Sequence, residues 1–235
     1  MASATDKSEG FDVIDSFRIL SDRVAQLLSA CGTPVRAYLD SGLPLYRALP
    51  EKKQKAALDQ LRVFLQSIEM AAKDGKGFDD PRSLWYALSA LKLVPPSDLF
   101  DRIPSGSAIE IYDGENIQIW RNWEVMRVCS YTIEEIHCLE WHVRYDRQDV
   151  VTAQCFDLVN TLFNGESDIV IPSVPEHEIT ESRSQERFYL KVDFKIASKL
   201  RDRDGQPIAF LLASAVNAAY KTRRRDEPPP DLSLA

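Results

Sequence analysis

Histidine, cysteine and carboxylate side chains carry most of the nucleophilic, proton-transfer and metal chemistry open to a protein, so their spacing is weighed first. The chain holds four cysteines, Cys31, Cys129, Cys138 and Cys155. None forms a Cys-x-x-Cys pair, and none stands at a metal-ligand spacing from a histidine. They read as reduced, mostly buried thiols of the kind kept in the cytosol. His137 and His142 are five residues apart, which sets them on different faces of a helix. One is expected at the surface and the other partly buried with its hydrogen bonds met. Glu176-His177-Glu178 puts three metal-binding residue types in a row. Adjacent residues point in alternate directions, and the run follows Pro172 and Pro175 in an expected loop, so no metal site is assigned.

The acid pairs Asp79-Asp80 and Glu134-Glu135 fall at helix starts, where negative charge meets unpaired backbone N–H groups. A pocket general base needs a buried carboxylate. Asp157 is the nearest candidate, and solvent exposure is its simpler expectation. The chain contains no Gly-x-Ser-x-Gly, no phosphate-binding P-loop, no Gly-x-Gly-x-x-Gly and no His-Glu-x-x-His. No catalytic residue is assigned, and the expectation is that the protein is not an enzyme.

What positions these residues follows from composition and pattern. The 235 residues suit one large or two small domains. A net charge of −7 argues against broad, sequence-independent nucleic-acid binding, which needs a basic face. Arg223–Arg225 is followed at once by Asp226-Glu227 and reads as a solvated tail. Residues 1 to 11 carry no apolar leader core. The longest apolar run, Ile208 to Ala219, is too short for a membrane span and contains Ser214 and Asn217. Neither nucleic acid nor membrane is expected as a partner, and the expected location is the cytoplasm.

Residues 1–10 are polar and without periodicity, and are expected to be disordered. From Phe11 the pattern is helical: Val13, Ile14, Phe17, Leu20, Val24, Leu27 and Leu28 recur at three- and four-residue spacing. Gly32-Thr33-Pro34 ends that helix. A short helix is predicted over Val35 to Asp40, and a long one opens at Pro50-Glu51 with Leu58, Leu61, Phe64, Leu65, Ile68 and Ala72 as its stripe. Asp74 to Gly77 ends it. Asp80 and Pro81 open another, with Leu84, Trp85, Leu88 and Leu91 on its apolar face. Pro95-Pro96 breaks the pattern.

After Pro104 the character changes. Ala108 to Tyr112, a turn at Asp113 to Asn116, and Ile117 to Trp120 read as a β-hairpin. Trp123 to Cys129 is predicted helical. Thr132 with Glu135 makes a capping box for the next helix. Asp149 to Phe163 is amphipathic and ends at Asn164-Gly165. Three strands are predicted to follow: Asp168 to Val174; Phe188 to Ile196, whose apolar Phe188, Leu190, Val192, Phe194 and Ile196 alternate with polar residues; and Ile208 to Val216. Five antiparallel strands with the helices between the second and third is the economical arrangement. The fold class is therefore α+β: a helical region over 11–103, a five-stranded antiparallel sheet covered by helices over 104–217, and a flexible charged, Pro-rich tail over 218–235.

Three stretches of the sheet region resemble the PAS family of sensory domains. Ala108 to Asn122, AIEIYDGENIQIWRN, looks like that family's first hairpin. Val128 to Ile136, VCSYTIEEI, is similar to its Gly-Tyr-Ser-x-x-Glu-Leu segment, with Ser130 where many members have glycine. Lys199 to Ser214, KLRDRDGQPIAFLLAS, resembles the Asp-x-x-Gly turn into the last strand. The resemblance spans about residues 104–217, and no family is recognised for the preceding helices.

The resemblance implies a role rather than a chemistry, since such domains bind haem, flavin, small acids, metals or nothing. The photoactive subclass carries a reactive cysteine in Asn-Cys-Arg-Phe-Leu-Gln, and neither Cys138 nor Cys155 has that setting. Haem-binding relatives use a histidine on the long helix. Asp149 to Phe163 has none, which leaves His142 as the haem alternative. A small-ligand pocket is expected between helices and sheet, with Trp123, Met126, Tyr131, His142, Phe156, Phe194 and Phe210 as candidate lining, or as plain core. No cofactor is expected. The leading expectation is a regulatory protein without an output enzyme of its own. It would dock a second copy or another signalling protein through the sheet's outer face or the N-terminal helices, and form a dimer. The alternatives are a sensor holding haem or a small organic ligand, and an enzyme with Asp157 as base.

Overall fold

The computed structural model describes residues 8–73, 81–182 and 189–218. The expectations for Asp74–Gly77, Asp79-Asp80, Phe188 and the tail past residue 218 lie outside them. Helix α1 runs Ser8–Ala30, starting three residues before the predicted Phe11. It buries Phe17, Val24 and Leu28 completely. It ends where Gly32, at φ 83°, lets the chain reverse and the Thr33 N–H reach the Leu28 carbonyl at 2.9 Å. Val35 to Asp40 is not the predicted helix. Its carbonyls point outward instead, and those of Arg36 and Ala37 each accept a 3.0 Å bond from the start of a later helix. A short helix α2, Pro44–Ala48, follows. Helices α3, Glu51–Lys73, and α4, Arg82–Leu91, stand where predicted, but Ala72 and Trp85, expected on their apolar faces, are exposed, with Ala71 and Ala87 buried instead. A single turn, α5 over Leu99–Arg102, leads to the sheet.

Strands β1, Ala108–Asp113, and β2, Gln118–Arg121, form the predicted hairpin. Short helices α6, Trp123–Val128, α7, Ile133–Cys138, and α8, Trp141–Arg144, come next. The capping box on α7 is complete: Glu135 N–H donates to Thr132 Oγ1 at 3.2 Å, and Thr132 N–H donates to Glu135 Oε2 at 2.8 Å. The two-residue strand β3, Tyr145–Asp146, precedes α9, Asp149–Asn164. Then come β4, Ile169–Val170; β5, His177–Glu181; β6, Tyr189–Arg201; and β7, Pro207–Ala218.

All strand pairs are antiparallel, in the order β2-β1-β7-β6-β5-β3, with β4 beside β6. The last strand thus lies next to the first, at the centre. The five principal strands are those expected in number, with β3 and β4 as two-residue additions. The third principal strand is His177–Glu181, not Asp168 to Val174. Pro172 and Pro175 cannot donate to a ladder, so after the two-residue β4 pairing resumes only beyond them. His177 and Glu178 therefore lie in a strand and not in a loop.

The sheet is covered on both faces. On one side α1, α3 and α4 bury Ile109, Ile111, Leu200, Leu211 and Ala213 against Phe64, Ile68 and Leu84. Trp120 of β2 reaches into this layer and donates through Nε1 to Ser67 Oγ on α3 at 3.2 Å. On the other side α9 closes over Tyr112, Val192, Phe194, Phe210 and Leu212. The expectation that the sheet's outer face docks a partner is corrected here: the N-terminal helices of the same chain cover that face along β1, β7 and the second half of β6.

Strand β6 is divided by a bulge. Phe194 pairs with Ser214 and Ile196 with Ala213, which leaves Lys195 as an extra residue. The alternation changes phase there. Leu190, Val192 and Phe194 face α9, whereas Ile196 faces the N-terminal helices rather than continuing the predicted apolar row.

Candidate functional site

Between α9 and the sheet lies a cavity of about 90 Å³. Its walls are mostly apolar. Leu158 and Val159 of α9 face Val192 and Phe194 of β6 and Phe210 and Leu212 of β7. The polar exceptions are Glu110, Tyr112, Asn116, Arg144, Tyr145, Arg147, His177 and Ser214. Glu110 and Tyr112 come here because β1 alternates: Ile109 and Ile111 turn to the N-terminal helices, so their neighbours turn inward.

Glu110 and Arg144 do not meet directly. Gln118 stands between them, donating to Glu110 Oε1 through Nε2 and accepting from Arg144 through Oε1. Arg144 also donates to the Ile136 carbonyl at 3.3 Å, and its own carbonyl accepts from the Tyr131 hydroxyl. The Ile136 carbonyl takes a second guanidinium, that of Arg121, at 2.8 Å. Arg121 and Arg144 are 2% and 3% exposed, yet neither makes an ion pair among the described residues. Burial, then the neighbouring Arg144 charge, lowers Arg121 to about 9, which leaves it a cation at neutral pH. Burial also pushes the Tyr112 hydroxyl well up. His177 is lowered, chiefly by burial, while its Nδ1 sits 2.9 Å from the Pro175 carbonyl.

Of the expected pocket residues, Phe194 and Phe210 line this cavity. The other five do not. Helix α6 turns Val125 and Val128 toward the cavity, so Met126 packs into the opposite core and Trp123 lies by the α5–β1 connection with the Arg127 guanidinium 5.9 Å above its ring. Tyr131 belongs to the opposite core, its ring edge-on to Tyr145. On α9 the inward positions are Cys155, Leu158 and Val159, which turns Phe156 out, 44% exposed and beside Trp141. His142 is exposed, 3.3 Å from Glu140, and faces a different cleft, so haem ligation through it in this cavity has no geometric support. Asp157 is exposed and is not a buried base. Among the described residues no group of three or more His, Cys, Asp or Glu is placed to hold a metal ion. None of the described helices is long and apolar enough to cross a membrane.

Glu110, Arg144 and Gln118 had no local signal in the sequence. Period-two alternation marks Glu110 as facing away from Ile109 and Ile111, but only the helices behind the sheet make that direction an interior one.

The strand order and the helices between β2 and β5 that cover the sheet define a PAS-like α+β fold. No family model matches the chain, and no curated protein does. Among solved structures it is similar to an RNA-binding light-oxygen-voltage receptor, at 12% sequence identity, over 92% of this chain and 64% of that one, with a TM-score of 0.30. The chain thus spans less than two thirds of that receptor's length. A likeness at that score carries no functional information, and the fold assignment stands on the strand order.

Proposed function

We propose that this chain is a PAS-type cytoplasmic regulatory protein. A small organic molecule in the cavity under α9 is its signal, and its N-terminal helices offer its output to a second copy or another protein. The observation that carries this reading is the two-sided cover of one sheet. The cavity touches one face of β6 and β7, and α3 and α4 lie on the other with α1 packed on α3. A ligand that favours one twist of the sheet therefore favours one packing of the helices behind it. Exposed Ile19 on α1 and Trp85 on α4, 64% and 57% accessible, favour output through those helices rather than through the sheet. The reading assigns no turnover to the chain.

Mass spectrometry of the purified chain, native and then denatured, tests it. The expected result is a retained small molecule that is lost in Ser214→Leu, where a larger side chain grows into the cavity. A protein that carries nothing, and whose thermal midpoint moves with no member of a metabolite panel, overturns the ligand. A monomer by light scattering at high micromolar concentration, with and without ligand, overturns output by self-association.

A further inference from the structure

A second and larger opening lies on the other side of the Arg121–Arg144 pair. It has a volume of about 370 Å³ and runs between α3, the β1–β2 turn, α7 and α8. Its apolar walls include Ala57, Ile117, Leu139 and Phe156. Ile117 and Phe156 are 45% and 44% exposed, so the apolar surface continues to the mouth. Arg121 lines the interior.

Among the described residues, neither buried guanidinium has a carboxylate in contact. The guanidiniums of Arg121 and Arg144 share one carbonyl, that of Ile136, and Nε of each is buried without an acceptor. Glu110 on the facing strand is the register partner of Arg121 and favours its charge from a distance, but its hydrogen bond is taken by the Gln118 amide and it makes no ion pair with the guanidinium. Glu140 at the rim is taken by Lys53 at 3.0 Å and faces His142 at 3.3 Å. Glu115 sits on the turn. Beside Arg121, both ring nitrogens of His137 are buried without a partner, and burial together with the two arginines keeps that ring neutral. Isolating a cation from water without an anion is costly, and proteins retain such arrangements where a site needs them. A guanidinium is a planar fork that matches one carboxylate. The apolar part of the walls suits a hydrocarbon body, and Gln60, Asn116 and His142 add polar groups around it.

We propose that this cleft is a second binding site, for a small carboxylic acid with an apolar body, whose carboxylate pairs with the Arg121 guanidinium. The site shares Asn116 and Trp141 with the wall of the cavity under α9 but does not depend on that cavity being occupied.

Calorimetric titration of the full chain with phenylacetate, and with the uncharged phenylacetamide, tests the assignment. The acid is expected to bind and the amide to bind at least about tenfold more weakly, the loss of one charge-assisted pair. Ala56→Trp, an exposed α3 position at the mouth, is expected to block the acid. Ser214→Leu in the other cavity is expected to leave its affinity unchanged. Arg121→Met is expected to abolish acid binding and to raise the thermal midpoint, because it removes a buried charge that has no carboxylate in contact. No binding, equal binding of acid and amide, or insensitivity to Ala56→Trp overturns the site. Loss of the acid in Ser214→Leu instead assigns it to the cavity under α9. A lowered midpoint in Arg121→Met makes the arginine structural and removes the argument from charge.

Discussion

Glu134→Ala should loosen the N-terminal helices from the sheet. The Glu134 carboxylate, at the start of α7, accepts the N–H groups of Leu45 at 2.9 Å and Tyr46 at 3.0 Å, the first turn of α2. In return the Arg36 and Ala37 carbonyls, just before α2, accept from Ile133 and Glu134 N–H at 3.0 Å each. The two segments thus satisfy each other's helix ends. Alanine leaves two donors without acceptors. A buried donor left unpaired costs about 1–3 kcal/mol, and half-buried Leu45 recovers part of that from water, so the net is about 2–4 kcal/mol. In a chain of this length 1 kcal/mol moves the midpoint by about 2–4 °C, giving a fall of about 5–15 °C. Glu134→Gln keeps an acceptor oxygen and should cost about 1 kcal/mol or less. The pH dependence separates charge from hydrogen bonding. Burial raises the Glu134 carboxyl from its ordinary 4.5 in spite of the two donated bonds. The folded state therefore holds this proton more tightly than the unfolded state. That contribution is full below 4.5 and is lost as pH rises through the raised folded value. The Gln variant lacks this slope. Urea unfolding of the three proteins from about pH 4 to about pH 7 measures both effects. An alanine variant within about 0.5 kcal/mol of the parent, or an unchanged slope in the glutamine variant, refutes the reasoning.

His137, held neutral by burial, has its ordinary value of 6.5 lowered in the folded state. Its contribution is present above 6.5 and is lost as pH falls through the lowered folded value. Part of the acid sensitivity of thermal unfolding below 6.5 should thus vanish in His137→Leu, with half-buried His177 accounting for some of the rest. Trp120→Phe removes the bond to Ser67 and part of a buried ring, and should cost about 1–3 kcal/mol by denaturant unfolding, with the loss concentrated at the contact of α3 with β2. Cys31 is exposed, whereas burial pushes the Cys129 thiol up to about 11 and raises Cys138 and Cys155. Alkylation of the native chain should therefore add one iodoacetamide group quickly by intact mass, and the others only on unfolding.

Local signals in the sequence were reliable where one residue type enforces one geometry. The hairpin, the Thr132–Glu135 cap and the helices α3, α4 and α9 all appear where their patterns put them, though Ala72 and Trp85 turn out of the predicted stripes. Two failures have physical reasons. Val35 to Asp40 has helical spacing, but the carbonyls of Arg36 and Ala37 are needed by α7, nearly a hundred positions onward, and that demand is invisible locally. β5 sits just past two prolines, and its pairing is set by β6 rather than by its own composition. The site was less legible than the fold. Aromatic residues were natural pocket candidates, yet on α6 and α9 a one-residue difference in position is a rotation of about 100°. That rotation sends Met126 and Phe156 away from the cavity and brings in Val125 and Cys155. Buried Arg121 and Arg144 contradict the expectation for charged residues and follow only from the tertiary arrangement.

The extra residue at Lys195 also fixes how the central strand is seated. Ahead of it, β6 answers to one core, and beyond it the odd and even positions exchange allegiance. Sliding the strand one notch would bring Leu190, Val192 and Phe194 to the side where Lys191 and Asp193 now stand, and would misplace Ile196 and Leu200 in the opposite sense. No single displacement suits both halves. The strand is thus keyed like a lock with two offset wards, and strain entering at either end must twist or bend it in place.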